Sequence, residues 1–126
     1  MAAKNYAITA GLLLVLLGLA GFFTTGRLLI FEVDPIHNLF HLVTGVVFVF
    51  AGFSRVGAAR VWDRLIGGIY ALVTILGFAL AGNLVITQFN MADNWLHLLI
   101  AVTALGFSFR PATKEEAGRE RARRAA

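Results

Sequence analysis

The sequence predicts an all-α, integral membrane four-helix bundle made of two parallel-repeat helical hairpins, and three observations carry that prediction. Of 126 residues, 59% are hydrophobic and only 14% charged, where a soluble domain carries about 25% charged residues. Four apolar segments are each long enough to cross a bilayer. The first half of the chain also aligns on the second without a gap.

A spanning helix needs roughly 20 mainly apolar residues to cross about 30 Å of hydrocarbon, because each backbone N–H and C=O in lipid must be satisfied within the segment. The qualifying segments run from Tyr6 to Thr25, Ile36 to Phe53, Val61 to Ala81 and Ala92 to Phe109. They make residues 1–110 one membrane domain and leave 111–126 as a basic cytoplasmic tail. The first run follows Lys4 and ends in small residues at Ala20 and Gly21, as a cleavable leader does, but it is long for that role.

Lys4 precedes the first span, Arg55, Arg60 and Arg64 lie around the middle connection, and Arg110, Lys114, Arg119, Arg121, Arg123 and Arg124 follow the fourth span. By the positive-inside rule both termini and the middle connection are cytoplasmic, so Thr25 to Pro35 and Gly82 to Met91 face outward. The net charge of +4 is thereby explained by insertion and anionic headgroups, with the lipid bilayer as the partner and no nucleic acid. The absence of cysteine excludes disulfides, thiol catalysis and iron–sulfur clusters.

Laying Gly11 on Gly67 also aligns Gly21 with Gly77, Phe22 with Phe78, Gly26 with Gly82, Asn38 with Asn94 and His41 with His97. Leucine and glycine coincidences are cheap in membrane sequences, so Asn and His carry the weight. The copies cover about 6–54 and 62–110 and share one topology, which places their pseudo-two-fold axis along the membrane normal. Glycines 11, 18, 21, 67, 68 and 77 suit close helix packing. The connections from Gly26 and Gly82 read as short extended or interfacial caps. Asp34-Pro35 and Asn90 read as helix starts.

The polar residues that break the apolar pattern cluster at the outer ends of spans two and four, in His37-Asn38-Leu39-Phe40-His41 and Asp93-Asn94-Trp95-Leu96-His97. His37 with His41, and Asp93 with His97, share a helix face at i,i+4 spacing. One reading makes Asn38, His41, Asn94 and His97 a symmetric hydrogen-bonding face that holds the bundle together. A second makes His37, His41, Asp93 and His97 ligands of a divalent metal. Axial ligation of haem b by the paired histidines is a third, and hydrogen bonding to a quinone or lipid headgroup a fourth.

Serine catalysis has no support, because Ser54 and Ser108 sit at the opposite helix ends, about 20 Å along the helix from the histidines at about 1.5 Å per residue. Glu32, Asp34 and Asp93 are placed at the outer interface and Asp63 among the cytoplasmic arginines, so a carboxylate at depth for ion coupling is not expected. Tyr70 reads as a packing residue. The expected role is a non-enzymatic accessory or envelope component, standing alone, as a homo-oligomer or as a membrane-complex subunit. Its alternative is a metal-, haem- or quinone-binding membrane protein.

The motif His37-Asn38-Leu39-Phe40-His41-Leu42 with Gly45, the segment Ala92-Asp93-Asn94-Trp95-Leu96-His97-Leu98 and the glycine-rich first and third spans resemble a bacterial membrane family, domain of unknown function 4383 (DUF4383). Ala101 stands where the first motif has Gly45. The resemblance implies a four-span inner-membrane protein and carries over no catalytic residues.

Overall fold

The computed structural model describes residues 2–84, 86–111 and 113–125, with positions 120, 123 and 124 as backbone only. Val85 of the second connection and the side chains of Arg123 and Arg124 therefore lie outside the described residues. Four helices are long and apolar enough to cross a membrane: α1 (Ala2–Gly21), α2 (Pro35–Phe53), α3 (Val56–Ala79) and α4 (Met91–Phe109). Between α1 and α2 lies the hairpin of β1 (Gly26–Leu28) and β2 (Phe31–Val33), and between α3 and α4 that of β3 (Asn83–Leu84) and β4 (Thr87–Gln88). A short helix, α5 (Lys114–Ala125), follows.

The boundaries follow from local chemistry. Asp34 caps α2 by accepting from the amides of Ile36 at 2.8 Å and His37 at 2.9 Å, and Pro35 occupies the first turn, where its missing N–H costs nothing. Asn90 and Asp93 form a capping box on α4. The third helix begins five residues ahead of the expected Val61 because Arg60 and Arg64 extend it rather than interrupt it. Their guanidinium groups donate to the carbonyls of Arg110 (2.8 Å) and Ser108 (3.3 Å), which the end of α4 leaves without intrahelical partners. At the other end of α3, the Gly82 amide donates to the Gly77 carbonyl at 2.8 Å, a Schellman-type stop with Ala81 and Gly82 in the left-handed region at φ 50° and 81°.

Helices α1 and α2 pack along each other, as do α3 and α4. A Cβ on Gly11 would lie 2.7 Å from the Gly45 carbonyl, and one on Gly45 2.8 Å from the Gly11 carbonyl, so neither position admits alanine without separating the helices. Gly67 lies against Ala104 and Leu105, whereas Gly68 faces open space and is not a packing glycine. The shared core is Ala7, Leu14, Phe48, Ile66, Tyr70, Ile100, Ala101 and Ala104. The outward faces carry exposed Leu12, Leu13, Leu16, Phe50, Leu65, Ile69, Leu72 and Val102, as a surface in lipid requires.

Each hairpin is tied to the helix start of the other pair. The Glu32 amide in β2 donates to Asp93 Oδ2 at 3.0 Å, and Asn90 Nδ2 donates to the Ile30 carbonyl at 2.8 Å. In the opposite sense, the Thr87 hydroxyl (2.6 Å) and the Gln88 amide (3.2 Å) of β4 donate to Asp34 Oδ2. The two helix pairs are thus cross-linked through their caps at one end of the bundle.

Candidate functional site

The caps set the phase of α2 and α4. With α2 beginning at Pro35, His37 falls in its first turn and His41 one turn further on the same face; with α4 beginning at Met91, His97 lies in its second turn. All three imidazoles are buried, at 4%, 6% and 3% exposure. Ring centroids are 4.5 Å apart for His37 and His41, 5.6 Å for His37 and His97, and 5.9 Å for His41 and His97. One ligand nitrogen from each lies within 4.8 Å of the others. Both nitrogens of His37, Nε2 of His41 and Nδ1 of His97 are buried without a hydrogen-bond partner among the described residues.

Asp93 is not in this group. Its Oδ2 accepts the amides of Asn90 (2.9 Å) and Glu32 (3.0 Å), which makes it a cap and a hairpin tie, while its Oδ1 is buried and unbonded. The asparagines sit elsewhere on their helices. Asn38 packs its side-chain amide onto Gly21 and Asn94 onto Gly77, in space that a Cβ on either glycine would fill. The Asn/His face of the sequence therefore divides: Asn38 and Asn94 sit inside the helix pairs, while His41 and His97 lie between the pairs and are joined there by His37.

Tyr70 packs in the core, as expected, and also borders the histidines. Its hydroxyl is 3.0 Å from Thr44 Oγ1 and its ring 5.5 Å from that of His97. Phe89, after β4, stands 5.1 Å from the His97 ring and 6.0 Å from that of His37. These side chains and the histidines line a cavity of about 360 Å³ between α2 and α3. The sequence carried a signal for Tyr70: the buried face of α3 runs Ala59, Asp63, Ile66, Gly67, Tyr70, Thr74, Gly77 at helical spacing.

The same register corrects the expected exposure of Asp63. It keeps its place between Arg60 and Arg64 but, against the expectation of no buried carboxylate, is fully buried, as is Asp93, and neither Asp63 oxygen is hydrogen-bonded among the described residues. It lies at the end of the bundle remote from the histidines. At the hairpin end, burial acts to raise the pKa of Asp34, but the Thr87 hydroxyl and the amides of His37, Gln88 and Ile36 outweigh it and hold the carboxyl below its ordinary value.

Residues 4–110 match the family described as Domain of unknown function (DUF4383). The chain belongs to this family. The segment shared with DUF4383 takes in α1 from its third residue, the other three long helices and both hairpins, and stops before α5. No curated protein and no solved structure matches the chain.

Proposed function

We propose that the chain is a metal-binding membrane protein that holds a late first-row divalent ion, zinc or copper, on the imidazoles of His37, His41 and His97. The observation that carries this reading is the convergence of three buried histidines, each with at least one ring nitrogen that has no hydrogen-bond partner among the described residues. A buried polar atom left unpaired costs about 1–3 kcal/mol, and an ion held by one nitrogen of each histidine accounts for three of the four. Imidazole suits both metals, and three histidines with one open position are a known catalytic type of zinc site. Metal–nitrogen bonds of about 2.0–2.1 Å bring tetrahedral ligands to about 3.4 Å apart, a modest inward movement from the present spacing. Haem is disfavoured because His37 is wedged against both His41 and His97, in the space a porphyrin between them would occupy.

The asparagines keep the structural role. Each is packed against a glycine of its own helix pair, which supports the reading of that half of the polar face as bundle packing. The positive charges at the end opposite the hairpins support a cytoplasmic position for both termini, in a bacterial inner membrane, with the metal site toward the outer surface. Paired Gly–Asn contacts at equivalent positions support a duplicated unit over 6–54 and 62–110, with 111–126 as its cytoplasmic tail. The reading assigns binding, as suits an accessory component, and no catalytic step.

Elemental analysis of the detergent-purified chain tests it. Wild type and Asp93→Asn are expected to carry about one ion per chain, and His41→Ala/His97→Ala none. Equal metal content in all three variants would sink the three-histidine site, and loss in Asp93→Asn would restore a four-ligand one.

A further inference from the structure

The cavity beside the histidines opens sideways. Of its lining residues, Phe40 on α2, Ile69 and Leu80 on or just past α3, and Ile86 in the second connection are 52%, 54%, 48% and 62% exposed. Phe40 and Ile69 belong to the apolar helix surface that faces hydrocarbon when the helices span a bilayer, and Leu80 and Ile86 continue it to the hairpin end. The mouth of the cavity therefore meets lipid rather than water. Its inner wall is formed by flat rings: Tyr70, Phe89 and the three imidazoles. No lysine, arginine, aspartate or glutamate is among its lining residues.

We infer that this cavity binds the ring of a membrane-dissolved quinone, entering between α2 and α3, with its oxygens toward the histidines and its apolar tail left in the lipid. Each step narrows the occupant. An apolar mouth in hydrocarbon admits molecules that partition into the bilayer. Walls without a fixed charge favour an uncharged head over a carboxylate or phosphate, which would lose its hydration with nothing in return. A volume of about 360 Å³ is at the small end of ligand pockets, roughly 300–1,000 Å³, which suits one ring and not a two-chain lipid. Aromatic walls stack on a flat ring. Imidazole donates from one nitrogen and accepts at the other, so it can bond a quinone carbonyl or a quinol hydroxyl, and the nitrogens of these histidines include four without partners among the described residues.

The inference shares the histidines with the metal reading, but the cavity and its mouth stand without an ion. Decylubiquinone is titrated into the full chain in phosphatidylcholine nanodiscs, by calorimetry against empty nanodiscs, and an azido analogue is cross-linked and mapped by mass spectrometry. Saturable binding of one quinone per chain is expected, with cross-links on α2 and α3. Val73 of α3 also lines the cavity, and Val73→Phe and the rim change Ile69→Trp should each weaken binding at least tenfold at unchanged helicity and metal content. Palmitate should not compete. The inference is overturned if uptake equals that of empty nanodiscs, if both filled variants bind as wild type does, or if palmitate displaces the quinone equally well. A metal-free wild type that binds quinone with this mutational pattern would remove the metal reading and leave the quinone site standing.

Discussion

Asn94 and Gly77 show how one missing side chain fixes another. The asparagine amide occupies the position a Cβ on Gly77 would take, and Asn38 does the same at Gly21. Gly77→Ala is expected to destabilise the bundle by about 1–3 kcal/mol, the usual cost of overpacking. Asn94→Ala in the same chain should recover part of that loss, a coupling that thermal unfolding of the four variants in detergent measures directly. Asp34 makes a pH prediction. Its folded pKa is depressed, so its contribution is present above the unfolded value of 3.8 and is lost as pH falls through the lower folded value. The stability gap between wild type and Asp34→Ala should therefore hold from pH 7 to about 4 and close below it.

At the scale of elements, the hairpins and helix starts form one unit, because each cap of a returning helix also receives the opposite hairpin. Asn90 caps α4 and donates to Ile30; Asp93 completes the box and accepts from Glu32. Asn90→Ala should cost about 1 kcal/mol as a lost cap and weaken the tie to the first hairpin. In Asp93→Ala the Glu32 amide should exchange its hydrogen faster while the metal content stays at the wild-type level. That combination separates a residue that positions the hairpin from one that binds the ion. Loss of metal in step with faster exchange would place Asp93 in the site after all.

For the whole molecule, the crossed hairpin caps join the two helix pairs into one bundle at one end, while at the other the arginines of α3 close the end of α4 within its own pair, and a cavity is left between α2 and α3. The charge distribution along this bundle predicts its orientation. Because the chain has no cysteine, single cysteines report topology without background. A cysteine at Gly118 should react with an impermeant maleimide only after cells are permeabilised, and one at Gln88 in intact cells. The reverse pattern would turn the histidines toward the cytoplasm.

The sequence by itself determined what depends on local chemistry and on the solvent the chain requires. Hydropathy gave four helices, because lipid leaves the backbone no other hydrogen-bonding solution, and Asp34-Pro35 and Asn90 marked two helix starts by the donors they satisfy. His37 and His41 could be placed on one face from their spacing alone. Only the tertiary structure decided which face of α4 and α3 meets them. That choice depends on glycine contacts such as Gly67 with Ala104 and on the crossed caps, which join residues distant in the chain. It brought His97 to the other histidines, turned Asp93 to backbone amides, set Tyr70 beside the cavity and buried Asp63, because a side chain's neighbours are fixed by helix rotation and approach, which residue spacing within one helix does not contain.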